Sequence, residues 1–288
     1  MIKGFSLHPS DEYLAFFGQQ GDPINYLLEL GVEFLEFVVR DPCLSEELAL
    51  VKKCQDAGYQ VTLHPIWAGA FEVTEFADEP ANEIRQNFVE LFKTAGALAN
   101  QQEEPVIIVV HGPTYPTEAP DYYTLGINTM ATFLRWAGTY AQSSGLRLLF
   151  GFENRPKIAG NAKMGESHVN TLEIVERADH ELVSITWDMG HSGVNAHRGT
   201  DDLYPPQAFL KRTIHVHIHD LKDGIDHYPL LYDGLPYAEY IAQLEKVGYR
   251  GVLNLELPDP SRLGLAGSSV LADISESLAN IDKALKSC

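Results

Sequence analysis

The chain has 288 residues, of which 45% are apolar and 21% charged. This is the composition of a globular protein with a full core, and it excludes a disordered or low-complexity chain. The 21 basic and 40 acidic residues leave a formal charge of −19, which opposes binding to nucleic acid or to an anionic membrane surface. Cys43, Cys54 and Cys288 are too few and too scattered for a disulfide framework or a cysteine metal site. The opening MIKGFSLHPSDEY lacks the basic and apolar pattern of a signal peptide. No run of about 18 uninterrupted apolar residues occurs, so the expectation is a soluble cytoplasmic protein.

Taken in chain order, short β-branched or aromatic runs alternate with longer helical patterns. Strand 2–8 precedes helix 23–30, strand 32–40 precedes helix 45–57, strand 59–66 precedes helix 80–99, and strand 105–111 precedes helix 123–142. Strand 146–153 and helix 168–180 follow, then strand 182–188 and helix 205–211, strand 212–219 and helix 237–247, and strand 251–257 and helix 269–286. Ser45, ahead of Glu46 and Glu47, suits the start of the second helix. Gly58 and Gly248 each stand between a helix and a strand and suit left-handed helix stops. Alternating β and α elements imply parallel strands joined by right-handed crossovers. Eight such units imply a (β/α)8 TIM barrel, expected as one domain over 1–288. A doubly wound sheet would bring a glycine-rich phosphate loop after its first strand, and that position reads HPSDEY.

In such barrels the reacting groups come from the C-terminal strand ends. Those ends carry His8, His64, His111, Glu153, Asp188 with His191 just beyond, the His215-His217-His219 series with Asp220, and Glu256. Seven of the 11 histidines therefore lie on or just past a strand. A lone histidine there is more often a hydrogen-bonded structural residue, which suits His8 and, still better, His168, His180 and His197. That reading fails for the set. Glu153, Asp188 and Glu256 sit at the ends of apolar runs (LLFGFE, VSITWD, VLNLEL), and burying three unpaired carboxylates is costly. A divalent cation resolves the repulsion, and carboxylates with an imidazole suit magnesium, manganese, cobalt or zinc. Alternation puts His215, His217 and His219 on one face of their strand, where each is a candidate ligand or a stacked polar core residue.

The set GFENRP, TWDMGH, HIHD and LNLELP resembles the xylose-isomerase-like barrel superfamily, which includes ketose 3-epimerases, inosose and dehydroshikimate dehydratases and the endonuclease IV group. The resemblance implies one divalent ion held by Glu153, Asp188, His217 and Glu256, with His191 contacting substrate. The endonuclease IV branch binds up to three zinc ions. Its first extra site corresponds to His64 and His111 with Glu153 bridging. Its third uses the counterpart of His191 and an Asp-x-His, where this chain has the adjacent pair Asp226-His227. Neighbours in an extended chain point opposite ways, so that third site is not expected here.

The expected activity is isomerisation or epimerisation of a sugar or related polyol. A divalent ion polarises a hydroxy-carbonyl substrate, and Glu153 and Glu256 act as an acid/base pair through an enediolate. His64, His111, His191 and Lys222 are candidate substrate contacts. Arg155 is either a further contact or half of a structural ion pair. Trp67 and Trp187 offer either a wall for a sugar face or packing. The alternatives are a dehydratase on the same site, an endonuclease IV-like zinc phosphodiesterase, which the charge disfavours, and a non-catalytic metabolite-binding barrel. A homo-oligomer is compatible with all of them.

Overall fold

A computed structural model describes residues 1–7, 22–45, 47–66, 69–118, 121–258 and 267–287. Eight parallel strands close on themselves: β1 (Ile2–Leu7), β2 (Phe34–Val39), β3 (Gln60–Pro65), β4 (Val106–Val110), β5 (Leu148–Glu153), β6 (Val183–Asp188), β7 (Thr213–Ile218) and β8 (Val252–Leu255). The ring is sealed where β1 pairs with β8, Ile2 opposite Val252. Each strand is one of the runs expected from the sequence, and the closed ring is the (β/α)8 barrel rather than a doubly wound sheet. Among the described residues, no helix is long and apolar enough to cross a membrane.

The connecting helices are α1 (Pro23–Glu29), α2 (Leu48–Asp56), α3 (Glu83–Ala99), α4 (Tyr122–Ser143), α5 (His168–Ala178), α6 (Met189–His197), α7 (Gln207–Lys211), α8 (Tyr237–Lys246) and α9 (Gly267–Ser287). Helix α1 starts with Pro23 behind Asp22, whose carboxylate accepts from the Ile24 N–H, the usual chemistry of a helix start. Gly58 and Gly248 have φ of +100° and +84° and stop their helices as expected. Ser45 does not cap α2. The helix begins at Leu48 behind Glu47 with no side-chain cap, and the Ser45 hydroxyl instead donates to Asp41 Oδ1 at 3.2 Å.

Helix α6 is not among the expected elements, and it shapes the site. Asp188, the last residue of β6, accepts from the His191 N–H at 2.6 Å and so caps α6. The helix therefore springs directly from the strand end. Gly190 permits this, because a Cβ there would stand 1.8 Å from the His219 ring.

Two small two-stranded antiparallel sheets dress the C-terminal mouth. Thr114–Pro116, after β4, pairs with Asn161–Lys163, after β5. Asp220–Lys222 pairs with Ile225–Tyr228 around Asp223 and Gly224, both at positive φ, as a tight hairpin turn requires.

Candidate active site and metal centre

Inside the barrel a polar network begins at Glu36, in the middle of β2. It is fully buried. Its carboxylate accepts from His215 Nε2 at 2.9 Å, from His217 Nε2 at 3.0 Å, from Ser6 Oγ at 3.0 Å and from Asn254 Nδ2 at 3.2 Å. Burial alone would raise this carboxyl, but the His217 imidazole and these hydrogen bonds outweigh it and hold Glu36 well below the ordinary carboxylate range. The consequence is tautomeric. In the neutral imidazole the proton lies on Nε2 towards Glu36, and Nδ1 is the nitrogen left to a second proton or a cation at the mouth.

Three carboxylates surround that nitrogen. Glu256 Oε2 is 3.0 Å from His217 Nδ1, Asp188 Oδ2 is 3.8 Å and Glu153 Oε2 is 4.0 Å. Neither His217 Nδ1 nor Glu256 Oε2 makes an aligned hydrogen bond, although both are buried. They stand 3.0 Å apart, and Glu256 shares a donor group with His217, His64 and Glu36 whose ligand atoms lie within 4.8 Å of one another. The electrostatics agree. Burial opposes charging His217, yet Glu256 and Glu36 raise its basicity well above the usual value. Burial likewise opposes ionisation of Glu153 and Glu256, but the hydrogen bonds of His111 and His191 to the first and the His217 imidazole beside the second hold both well below the usual range. A site that draws protons onto buried imidazoles in this way has the donor chemistry of a cation site.

Two further donor groups adjoin this one. His64 Nε2 and His111 Nε2 are 2.9 Å apart, and they lie 3.4 and 2.7 Å from Glu153 Oε2. Burial, reinforced by Arg155, pushes His111 down to about 3, so its imidazole is neutral and able to ligate. On the other side, His191 places Nε2 3.7 Å from Asp226 Oδ2, with Nδ1 against the Asn154 carbonyl at 2.9 Å. His227 Nδ1 is 3.1 Å from Asp226 Oδ1. The expectation that Asp226 and His227 point apart is therefore corrected. His227 has φ of +60°, and a left-handed residue breaks the alternation of an extended chain. Ligand atoms of Asp188, His191, His219 and His227 lie within 4.8 Å of one another, as do those of Glu153, Asp188 and His217, and those of His64, His111 and Glu153.

Residues 24–284 match the family described as xylose isomerase-like TIM barrel. The chain belongs to that family. A curated relative, the uncharacterized protein MJ1311 of Methanocaldococcus jannaschii, is 26% identical over 183 residues, 60% of this chain and 57% of that protein. The chain thus spans little more than half the length of that relative. The crystal structure of a D-tagatose 3-epimerase-like protein superposes with a TM-score of 0.69 at 19% identity, over 99% of this chain and 97% of that one. D-Psicose 3-epimerase of Clostridium cellulolyticum H10 gives 0.68 at 14% identity over 99% of both chains. The IolI protein with a bound zinc atom gives 0.61 at 15% identity over 98% of both. At these identities the structural likeness is one of fold.

Within this family member, the eight expected site residues separate into seven and one. Glu153, Asp188, His217 and Glu256 converge, and His64, His111 and His191 line the same mouth. Lys222 does not join them. It is exposed on the Asp220–Tyr228 hairpin, with its ammonium 4.7 Å from the Tyr232 ring centroid and 5.5 Å from that of Tyr228. Of the histidines expected to be structural, His168 holds Ser192 Oγ at 2.9 Å and Asp201 at 3.0 Å, and His180 accepts from the Leu182 N–H. His197 packs by Gly224. His219 accepts from the His227 N–H at Nδ1, so its Nε2 donates to Asp188 Oδ2 at 3.1 Å; it orients that carboxylate. Trp187 is a packing residue, buried against Tyr240 with Nε1 on Ser192 Oγ. His8 and Trp67 lie outside the described residues.

Sequence reasoning passed over Glu36 and Asn154. Asn154 brackets Asp188, donating to its carbonyl at 2.9 Å and accepting from its N–H at 2.7 Å. For Glu36 the signal was present, since a carboxylate inside FLEFVV is as costly to bury as one at a strand end.

Proposed function

We propose that the protein is a divalent-metal-dependent isomerase or epimerase acting on a sugar or related polyol. The observation that carries this reading is the convergence of Glu153, Asp188 and Glu256 on His217 Nδ1, with the other imidazole nitrogen tied to Glu36. Those four residues fit a single divalent ion in donor type, and His217 Nδ1 and Glu256 Oε2 are buried without a hydrogen-bond partner. The ion supplies Lewis acidity towards two adjacent substrate oxygens.

The remaining chemistry belongs to the protein. Glu256 is the more accessible carboxylate, with 13% of its side chain exposed against 1% for Glu153. Both are held ionised at neutral pH, so either can accept a carbon-bound proton at a carboxylate oxygen. One carboxylate takes the proton to give the enediolate, and a proton delivered to the other through the adjoining histidines or solvent is returned from the opposite side, after which the first carboxyl gives up its own and both are ionised again. His191, fixed through Nδ1 on the Asn154 carbonyl, presents Nε2 to a substrate oxygen. His64 and His111 face substrate hydroxyls from the β3 and β4 side. Where the carboxyl that took the proton gives it to a β-hydroxyl instead, the same enediolate loses water and the site is a dehydratase. Epimerases among the structural neighbours support the choice of substrate class.

A second reading, a zinc phosphodiesterase, draws on the two further donor groups, His64-His111-Glu153 and His191-Asp226-His227. One experiment separates the two. Metal-loaded protein is incubated with a panel of ketoses, aldoses and cyclitols in D2O, and deuterium at carbon is followed by NMR. Deuterium should enter at least one substrate and cease when chelator is added. No exchange across the panel, together with cleavage of an abasic duplex and about three zinc ions per chain, would establish the second reading instead.

A further inference from the structure

Arg155 lies two residues beyond Glu153 and is only 9% exposed. Its backbone is clamped on both sides: its N–H donates to the Gly165 carbonyl at 2.8 Å, and its carbonyl accepts from Asn195 Nδ2 at 3.0 Å. The side chain has no carboxylate within ion-pair distance among the described residues, and its buried Nε makes no hydrogen bond. The structural ion pair weighed for this residue is therefore absent from the described structure. An arginine cannot shed its proton, so the guanidinium remains a buried charge that needs an anion.

A second cation stands on the adjoining loop. Lys163 pairs with Thr114 in the first of the two small sheets, and the next residue but one, Gly165, is the one that binds the Arg155 N–H. Lys163 is half-buried. Burial lowers its ammonium to about 8, with Arg155 adding to the effect and Asp226 and Glu153 opposing it. Arg155 follows Glu153, the last residue of β5, by two positions, and the Gly165 carbonyl that binds its N–H brings the segment of Lys163 to the same strand end. Lys163 makes other contacts as well and contributes its charge at this place. Backbone hydrogen bonds thus bring the segments that carry Arg155 and Lys163 together at the end of β5, beside a site whose own carboxylates are already engaged by histidines.

We propose that Arg155 and Lys163 form an anion subsite at the edge of the metal centre, which binds a carboxylate or phosphate group of the substrate. This rests on the isomerase or epimerase reading and narrows its substrate to an acidic sugar derivative. Arg155 supplies the planar fork that pairs with either oxyanion, and Lys163 supplies a point charge.

The test is calorimetric titration of the metal-loaded protein with D-glucose, D-glucose 6-phosphate and D-glucuronate, which differ only at the sixth carbon. At least one acidic sugar should bind about 30-fold or more tighter than glucose, from charge-assisted hydrogen bonds. Which of the two does so identifies the anion. Arg155→Gln and Lys163→Met should each reduce that preference about tenfold, while the affinity for glucose and the metal content stay as in wild type. Lys163→Met, at the less buried position, carries the test if Arg155→Gln does not fold. Equal affinity for all three sugars in the wild type, or an undiminished preference in both variants, would overturn the proposal. Anion preference without proton exchange on any sugar would remove the isomerase reading and leave the subsite standing.

Discussion

Glu153→Gln is expected to lower turnover by about 10³-fold, within the range for loss of a general acid or base. The substitution keeps the side-chain shape and removes the charge. In the wild type, Glu153 Oε2 meets His111 Nε2 at 2.7 Å and His64 Nε2 at 3.4 Å, while Oε1 meets His191 Nδ1 at 3.1 Å. Glu153 therefore belongs to two of the donor groups and touches His191 of the third, and a neutral amide weakens all of these contacts. Two contributions can be separated by measuring kcat against metal concentration. A loss that persists at saturating metal belongs to proton transfer, and a loss that saturating metal restores belongs to ligation. Activity within threefold of wild type at ordinary metal concentration would exclude Glu153 from both roles.

Glu36→Gln carries the second large effect, although Glu36 is not placed at the cation. Its two oxygens accept from His215, His217, Ser6 and Asn254. A glutamine has one acceptor oxygen, and its NH2 must oppose an N–H that now donates. Breaking a buried charged network of this kind costs about 3 kcal/mol. The second effect is on His217. Without the Glu36 acceptor, the proton is no longer held on Nε2, and Nδ1 is no longer reserved for a cation. Loss of such an outer partner weakens metal binding by about 10–100-fold. Urea unfolding in the presence of chelator reads the first effect, and metal titration of the folded variant reads the second. Unchanged metal affinity would show that Glu36 serves stability alone.

How far this was legible in the sequence depended on the kind of signal. The barrel was legible because each strand is a β-branched or aromatic run set off by a helix, and eight such runs have one common closed solution. The converging residues were legible because carboxylates and histidines at strand ends are expensive to place anywhere else. What escaped had weaker local marks. Helix α6 is nine residues long and contains two glycines, so nothing in MGHSGVNAH favours a helix by propensity; the Asp188 cap starts it. Glu36 lies mid-strand, where alternation alone does not separate an inward carboxylate from an outward one. The Asp226-His227 pair depended on a single left-handed residue, which no period reveals. Lys222 stands close in sequence to Asp220, but the hairpin turn carries it onto Tyr228 and Tyr232.

The central claim is that Glu153, Asp188, His217 and Glu256 hold a divalent cation. The most direct test is elemental analysis of protein purified without chelator, beside the Asp188→Asn variant. The account predicts at least one equivalent of manganese, magnesium, cobalt or zinc per wild-type chain, and a clear loss in the variant. Wild-type protein that is metal-free, and that takes up none of these ions on titration, would contradict it.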